Sequence, residues 1–540
     1  MAAPAAAAPS KPAPDDLLRT YVQARAAEAV GDEARAAHLF AGLATADPAD
    51  PTIAQRALEG AIAAGNAPLA LKIARGLPAR QLGLGARLLL VADDLRAGRV
   101  APALATLETP GQSPDLAFLG PLVRAWDQVM RNDPAALATI GQIPANGPLG
   151  AFVPEQRALI LAGLRQTAEA EPFARRAIAG AGGRETRVRL ELAEAFRAAG
   201  DRPRALAILE GQGRGLTAAR ARIAANKSLA RRIDTPAAAF AEILVGLAIG
   251  LNRADDQDLP IAMAQISRVA VPDSSEAAIV LGLLLDQAGR SNDALLAFAT
   301  VPADDFLAGQ ALDARARTLL KLQRNAEALQ LARSAAGPRD SDAADFTRLG
   351  DVFEALERHG EAADTYLRAA SLMPATGPGS TDAWTAYLLA ASALEEAGRW
   401  PEARSAIEKG LALTPDNPLL LNFLGYAKLT HGEDIEAAEA MIRKASALRP
   451  NDASITDSLG WALYKRGKLQ EAIATLQKAA AGDPAQSEIG EHLGDALYTA
   501  GRRYEARFAW RAALATADAK PAARIQAKIE QGLAPATAAP

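Results

Sequence analysis

Few residues in this chain could do chemistry, and their spacing excludes most of it. Cysteine is absent. No disulfide framework, thiolate nucleophile or cysteine-bound zinc can therefore form. The four histidines, His38, His359, His431 and His492, lack the H-x3-H and H-E-x-x-H spacings that bring two imidazoles to one metal. No nucleophile elbow, phosphate loop or dinucleotide signature occurs, and Gly83-Leu84-Gly85 has no strand before it. Asp255, Asp256 and Asp258 are the one carboxylate cluster hinting at a metal. Without the glycine and closing glutamate of a calcium loop, they read as a solvated turn. With no converging polar constellation, the reading is non-catalytic, with no cofactor and no metal. What remains is a set of aromatic and polar residues towards the C-terminal end: Asn422, Tyr426, Asp457, Trp461, Tyr464, Lys465, Glu491, Asp495 and Tyr498. Their density is unusual in a chain that is only 4% aromatic.

The elements that must position them are set by a repeat. Leu459-Gly460 recurs as Leu493-Gly494, Ala472 as Ala506, Ala479 as Ala513 and Pro450 as Pro484, each pair 34 apart. That period is one helical hairpin. Each repeated residue has a task. The glycine at the eighth position lets the two helices approach without a Cβ between them. A second glycine, such as Gly467 or Gly501, ends the first helix in a left-handed turn. A small alanine such as Ala472 keeps the crossing close. The closing proline cannot continue the second helix. Well-matched units lie near 343–374, 384–415, 418–450, 453–484 and 487–517. Earlier segments keep only the rhythm, as in Gly31 with Ala36 and Phe40, Gly98 with Ala103, Gly200 with Ala205, and Gly289 with Ala294 and Phe298.

This pattern is identified as that of the tetratricopeptide repeat (TPR) superfamily. The resemblance implies an all-α fold, a right-handed α-solenoid of about 14 TPR-like helical hairpins. The expected organisation is an Ala/Pro-rich disordered tail (1–14), a degenerate solenoid (15–374), an inserted loop (375–381), well-matched repeats (382–517), a capping helix (518–533) and a second disordered tail (534–540). The Gly-rich stretch 210–215 is expected to be a hinge or loop. Residues 417–514 also resemble long, often exported proteobacterial TPR proteins that act as assembly scaffolds or adaptors. The motifs are LLLNFLGYAKL (419–429), ASITDSLGWALYKRGKLQEAI (453–473) and EHLGDALYTAGRRYEARFAWRAAL (491–514). Some members of that group are lipoproteins; this chain has no cysteine to carry a lipid.

In such a solenoid the first helices line the concave face. Positions two, five, nine, twelve and thirteen of each unit then point into it. The last three units would present Leu419, Asn422, Tyr426, Leu429 and Thr430; Ser454, Asp457, Trp461, Tyr464 and Lys465; and Glu488, Glu491, Asp495, Tyr498 and Thr499. Aromatics among polar neighbours are typical peptide anchors. The same rings could instead pack between neighbouring helices. The acidic residues favour a neutral or basic peptide.

Composition narrows the partners. The 59 basic and 63 acidic residues nearly cancel, and no basic stripe follows a helix, so nucleic acid is not expected. The most apolar stretch, 240–251, contains Glu242 and is too short to span a bilayer. The opening MAAPAAAAPSKPAP is similar to the end of a cleaved export signal plus a mature tail. The sequence reading is therefore a protein- or peptide-binding scaffold or adaptor, periplasmic and at most peripherally associated with the envelope. The alternative is a cytoplasmic co-chaperone or regulatory subunit.

Overall fold

A computed structural model describes residues 14–46, 51–109, 115–210, 214–229, 233–253, 257–338, 341–373 and 383–539. The expected 375–381 loop, residues 211–213 of the expected 210–215 loop, Asp255, Asp256 and nearly all of the first tail lie outside these residues; Arg214 and Gly215 open the helix Arg214–Ala224. Among the described residues there are thirty α-helices and no strand. The chain forms two compact units, residues 1–337 and 338–540. The division falls before the 375–381 loop, one of the two interruptions expected from the sequence.

The second unit is built as the repeat requires. It contains five hairpins: Ala343–Ala355 with His359–Leu372, Ala383–Glu396 with Trp400–Leu413, Pro418–Thr430 with Ile435–Leu448, Ala453–Lys465 with Leu469–Gly482, and Ser487–Thr499 with Arg503–Leu514. A last helix, Ala519–Gln531, packs on the fifth hairpin. In four of the five hairpins a glycine of the first helix meets a large side chain sixteen or seventeen positions later; the helix Ala383–Glu396 has no glycine. Gly350 faces Tyr366, Gly425 faces Ile442, Gly460 faces Leu476 and Gly494 faces Trp510. A Cβ on Gly460 would lie 2.5 Å from Leu476 Cγ, so only glycine admits this approach. Ala362, Ala403, Ala438, Ala472 and Ala506 are all fully buried at the crossings. Gly467 turns the fourth hairpin at φ +75°, the left-handed conformation the sequence called for. Asn417 and Asp452 cap their helices by accepting backbone N–H bonds.

The first unit departs from a simple stack. In a solenoid each repeat touches only its neighbours. Here Pro236–Leu251 packs against Gly120–Met130 and Leu84–Arg96, and Asp258–Ala270 packs against Leu84–Arg96 and Pro51–Ala63. The cause is in the sequence. Pro236–Leu251 reads PAAAFAEILVGLAIGL, apolar on nearly every side, and most of it is buried. A helix without a polar face needs cover all round, and earlier hairpins supply it. No described helix is long and apolar enough to cross a membrane.

Replacing Gly460 by Ala should destabilise the protein by about 1–3 kcal/mol through overpacking against Leu476. Urea unfolding of the wild type and the variant measures this, and equal midpoints would contradict the close-approach account.

Candidate functional site

The first helices of the last three hairpins lie side by side, Pro418–Thr430 against Ala453–Lys465 and that against Ser487–Thr499. The helical period therefore brings Tyr426, Trp461 and the acidic positions of the third helix to one face. At its centre Trp461 is fully buried. It stacks on Tyr464 at 4.7 Å between centroids and on His492 at 4.1 Å. The Lys465 ammonium sits 4.8 Å from the Trp461 ring centroid, in cation–π range. His492, also fully buried, has Nδ1 2.9 Å from Asp457 Oδ2. Burial opposes the charge on this imidazole, but Asp457 outweighs it and holds the His492 pKa above its ordinary value. Tyr426 Oη donates to Glu488 Oε1 at 2.6 Å, and burial with that carboxylate pushes the phenol well up. Tyr464 Oη lies 3.0 Å from Thr499 Oγ1.

Three buried polar atoms of this face have no hydrogen-bond partner: Asn422 Oδ1, Asp457 Oδ1 and His492 Nε2. Each comes from a different one of the three helices. Asn422 and Asp457 hold the same position in successive repeats. Buried polar atoms are normally paired, so such orphans mark places where a further donor or acceptor would be gained.

The acids nearest the C-terminal end are already engaged. Lys528, from the last helix, is fully buried. Its Nζ donates to Glu491 Oε1 at 2.6 Å and to Asp495 at 2.8 and 2.7 Å. Arg524 donates twice to Glu491, both at 2.7 Å. Burial alone would raise the Glu491 pKa, yet the Arg524 and Lys528 contacts hold it below its ordinary value. Asp495 also accepts from Trp510 Nε1 at 2.9 Å.

The sequence-derived set is thus corrected in one respect. Asp457, Trp461, Glu491 and Asp495 are enclosed by neighbouring helices and do not stand open on this face. They lie beneath it, while Asn422, Tyr426 and Tyr464 are half-buried at its surface and Lys465 is exposed. Tyr498 turns aside to pack on Trp510 at 5.4 Å between centroids. Sequence reasoning missed His492, Arg524 and Lys528. The Arg524, Ile525, Lys528, Ile529 spacing carried the signal for the last two, because it puts all four on one helical face. His359 and His431 pair with Glu354 at 2.9 Å and Glu395 at 2.6 Å.

A second titratable cluster lies inside the first unit. Arg184 and Arg187 face Glu155, Glu191, Glu242 and Glu276. Arg187 approaches Glu191 at 2.5 Å and Glu276 at 3.2 Å. Arg184 approaches Glu276 at 3.2 Å and pairs with Glu242. Four buried carboxylates oppose two guanidiniums, so protons must make up the difference. Burial is the main cause of the rise in Glu155 to about 7 and Glu276 to about 8. Burial also raises Glu191 well above its ordinary value. Glu242 stays low because the two arginines outweigh its burial.

A family model described as tetratricopeptide repeat matches residues 384–429. The chain carries tetratricopeptide repeats. A 62-residue stretch is 42% identical to TPR repeat-containing protein PA4667 of Pseudomonas aeruginosa, covering 12% of this chain and 10% of that protein. The chain thus matches about a tenth of that relative's length. Among solved structures, the Cut9–Hcn1 hetero-tetramer of the APC/C aligns with 96% of this chain and 89% of its own, at 15% identity and TM-score 0.35. YrrB, described as a TPR protein with an unusual peptide-binding site, aligns with 36% of this chain and 97% of its own, at 21% identity and TM-score 0.27. At those scores neither alignment bears on what this chain does. The tetratricopeptide hairpins of the second unit are where the sequence expected its site.

Two outcomes follow from the charges. The raised Glu155, Glu191 and Glu276 stabilise the folded first unit below about pH 4.5, where the unfolded carboxyls are also protonated. That contribution is lost as pH rises through about 7 and 8. Hydrogen exchange of Pro236–Leu251 should therefore speed up between pH 6 and pH 9 beyond the intrinsic rate, and unchanged protection would contradict the assignment. Lys528→Ala leaves Glu491 and Asp495 without their shared buried cation, and should destabilise the second unit by about 3–5 kcal/mol. A shift of the urea midpoint measures this.

Proposed function

We propose that this protein is a non-catalytic scaffold or adaptor that holds segments of partner proteins on the face formed by the last three hairpins. The observation that carries the reading is the set of unpaired polar atoms, the acceptors Asn422 Oδ1 and Asp457 Oδ1 with His492 Nε2, beside half-buried aromatic rings. An extended peptide offers a backbone N–H at every second residue along one side. A face with acceptors repeated from helix to helix suits that ligand better than it suits a compact small molecule. The aromatic rings add apolar area at low entropic cost. The charge balance within the groove favours an uncharged segment, because Glu491 and Asp495 already hold Lys528 and Arg524.

The setting we favour is the bacterial cell envelope. Its support is the resemblance of residues 417–514 to exported proteobacterial scaffolds. Fractionation of the producing cells tests it, and recovery in the cytoplasm would replace it with the co-chaperone or regulatory-subunit reading.

Tyr464→Ala with Lys465→Ala removes surface contacts while leaving the buried Trp461 in place. Cross-linked capture from native cells should lose its partner with this double variant, at unchanged helical content. Equal recovery by both proteins would move the binding site away from this face.

A further inference from the structure

The groove is partly covered by the segment that follows the last helix. We propose that residues 533–539 are a resident, displaceable ligand of this face, and that its external ligands are uncharged peptide segments rich in small residues. The inference rests on the reading of the face as a peptide site.

The sequence expected a capping helix to end at 533 and residues 534–540 to be disordered. The structure instead anchors it at two ends. At the first, Gly532 is buried with its backbone against the Tyr498 hydroxyl, in a conformation at φ +89° that leaves no room for a side chain. Leu533 packs beside it, half-buried. At the second, Ala539 is 3% exposed. It lies in the cluster with Leu429, Leu459 and Trp461, flanked by Tyr426 and Tyr464. Its N–H donates to Asp495 Oδ2 at 3.0 Å. Between the anchors Ala534, Pro535 and Ala538 are exposed. The short turn Pro535–Thr537 is held by bonds between Thr537 and Ala534, not by the groove.

The contacts made at the second anchor are a methyl group and one backbone N–H. Any extended segment with a small residue there can make them. The segment reads LAPATAA and carries no charge, which matches a floor whose acids are already paired. It also leaves Asn422 Oδ1, Asp457 Oδ1 and His492 Nε2 unsatisfied. A longer peptide that reaches these unpaired atoms gains bonds the resident segment does not make, and so can displace it. The resident segment in turn competes at the high effective concentration of a short tether, of order millimolar.

The test uses a fluorescein-labelled peptide of residues 532–540, GLAPATAAP, in anisotropy titrations against the full chain, a chain ending at Leu533, and full-length Ala539→Glu. The last places a carboxylate against Asp495 in a buried position and expels the segment without shortening the chain. The shortened chain and Ala539→Glu should both bind the probe, and the unaltered chain should bind it at least tenfold more weakly. Equal binding by all three would overturn the resident-ligand inference and leave the groove reading intact. No binding by either altered protein, each with the wild-type circular dichroism spectrum, would show that the segment is a fixed cap and overturn the inference. The groove reading would then be judged by partner capture with the Tyr464/Lys465 double variant. If the shortened chain does not fold, Ala539→Glu alone decides.

Discussion

The site depends on one buried cation. Lys528 stands between Glu491 and Asp495 with no exposure to solvent, and all three charges are paired. Removing an ammonium from water is costly unless charge and hydrogen bonds replace its hydration. Here two carboxylates do so. The ion set fixes the last helix against Ser487–Thr499, neutralises the acids that the sequence alone would leave open to a basic ligand, and directs the following residues towards Trp461. Arg524 reinforces it from the same helical face through two bonds to Glu491. The enclosure of Glu491 and Asp495 follows from this contact.

The hairpins that carry the groove depend on a different constraint, the absence of a side chain. Glycine at the eighth position of the first helix receives a large residue from the second, Leu476 on Gly460 and Trp510 on Gly494. Trp510 then returns its indole N–H to Asp495. The repeat and the site are thus joined: the ring that fills the hairpin also orients an acid on the groove floor. Close packing of this kind tolerates little change in volume. The first unit solves another problem. Its apolar helix Pro236–Leu251 is enclosed by distant hairpins, and the Glu242 it carries is matched by Arg184 and Arg187.

Much of this was legible in the sequence, for physical reasons that can be named. The 34-residue period, the glycine contacts and the left-handed turn at Gly467 are local consequences of helix geometry, and local geometry is written in local sequence. The clustering of Tyr426, Trp461 and Tyr464 on one face followed from the 3.6-residue period. The burial of Trp461 was one of two readings the sequence left open; the enclosure of Asp495 did not follow, because it depends on Lys528 and Ala539, which lie outside the repeat. His492 was missed because it falls one position beyond the residues assigned to the groove, yet it stacks on Trp461 and bonds to Asp457. The closure of the first unit was also hidden. The apolar character of 240–251 was plain, but two of the helices that enclose it, Leu84–Arg96 and Gly120–Met130, lie more than a hundred residues away, and periodicity carries no such information.

The central claim is that the face floored by Trp461 and Asp495 takes peptide segments, its own residues 533–539 among them. Amide hydrogen exchange at Ala539 addresses it most directly. The account expects protection in the free protein, with opening far easier than global unfolding of the second unit. It also expects that protection to disappear when a partner peptide occupies the face. Exchange of Ala539 at the rate of an unstructured chain in the free protein, or protection that a bound partner leaves unchanged, would contradict it.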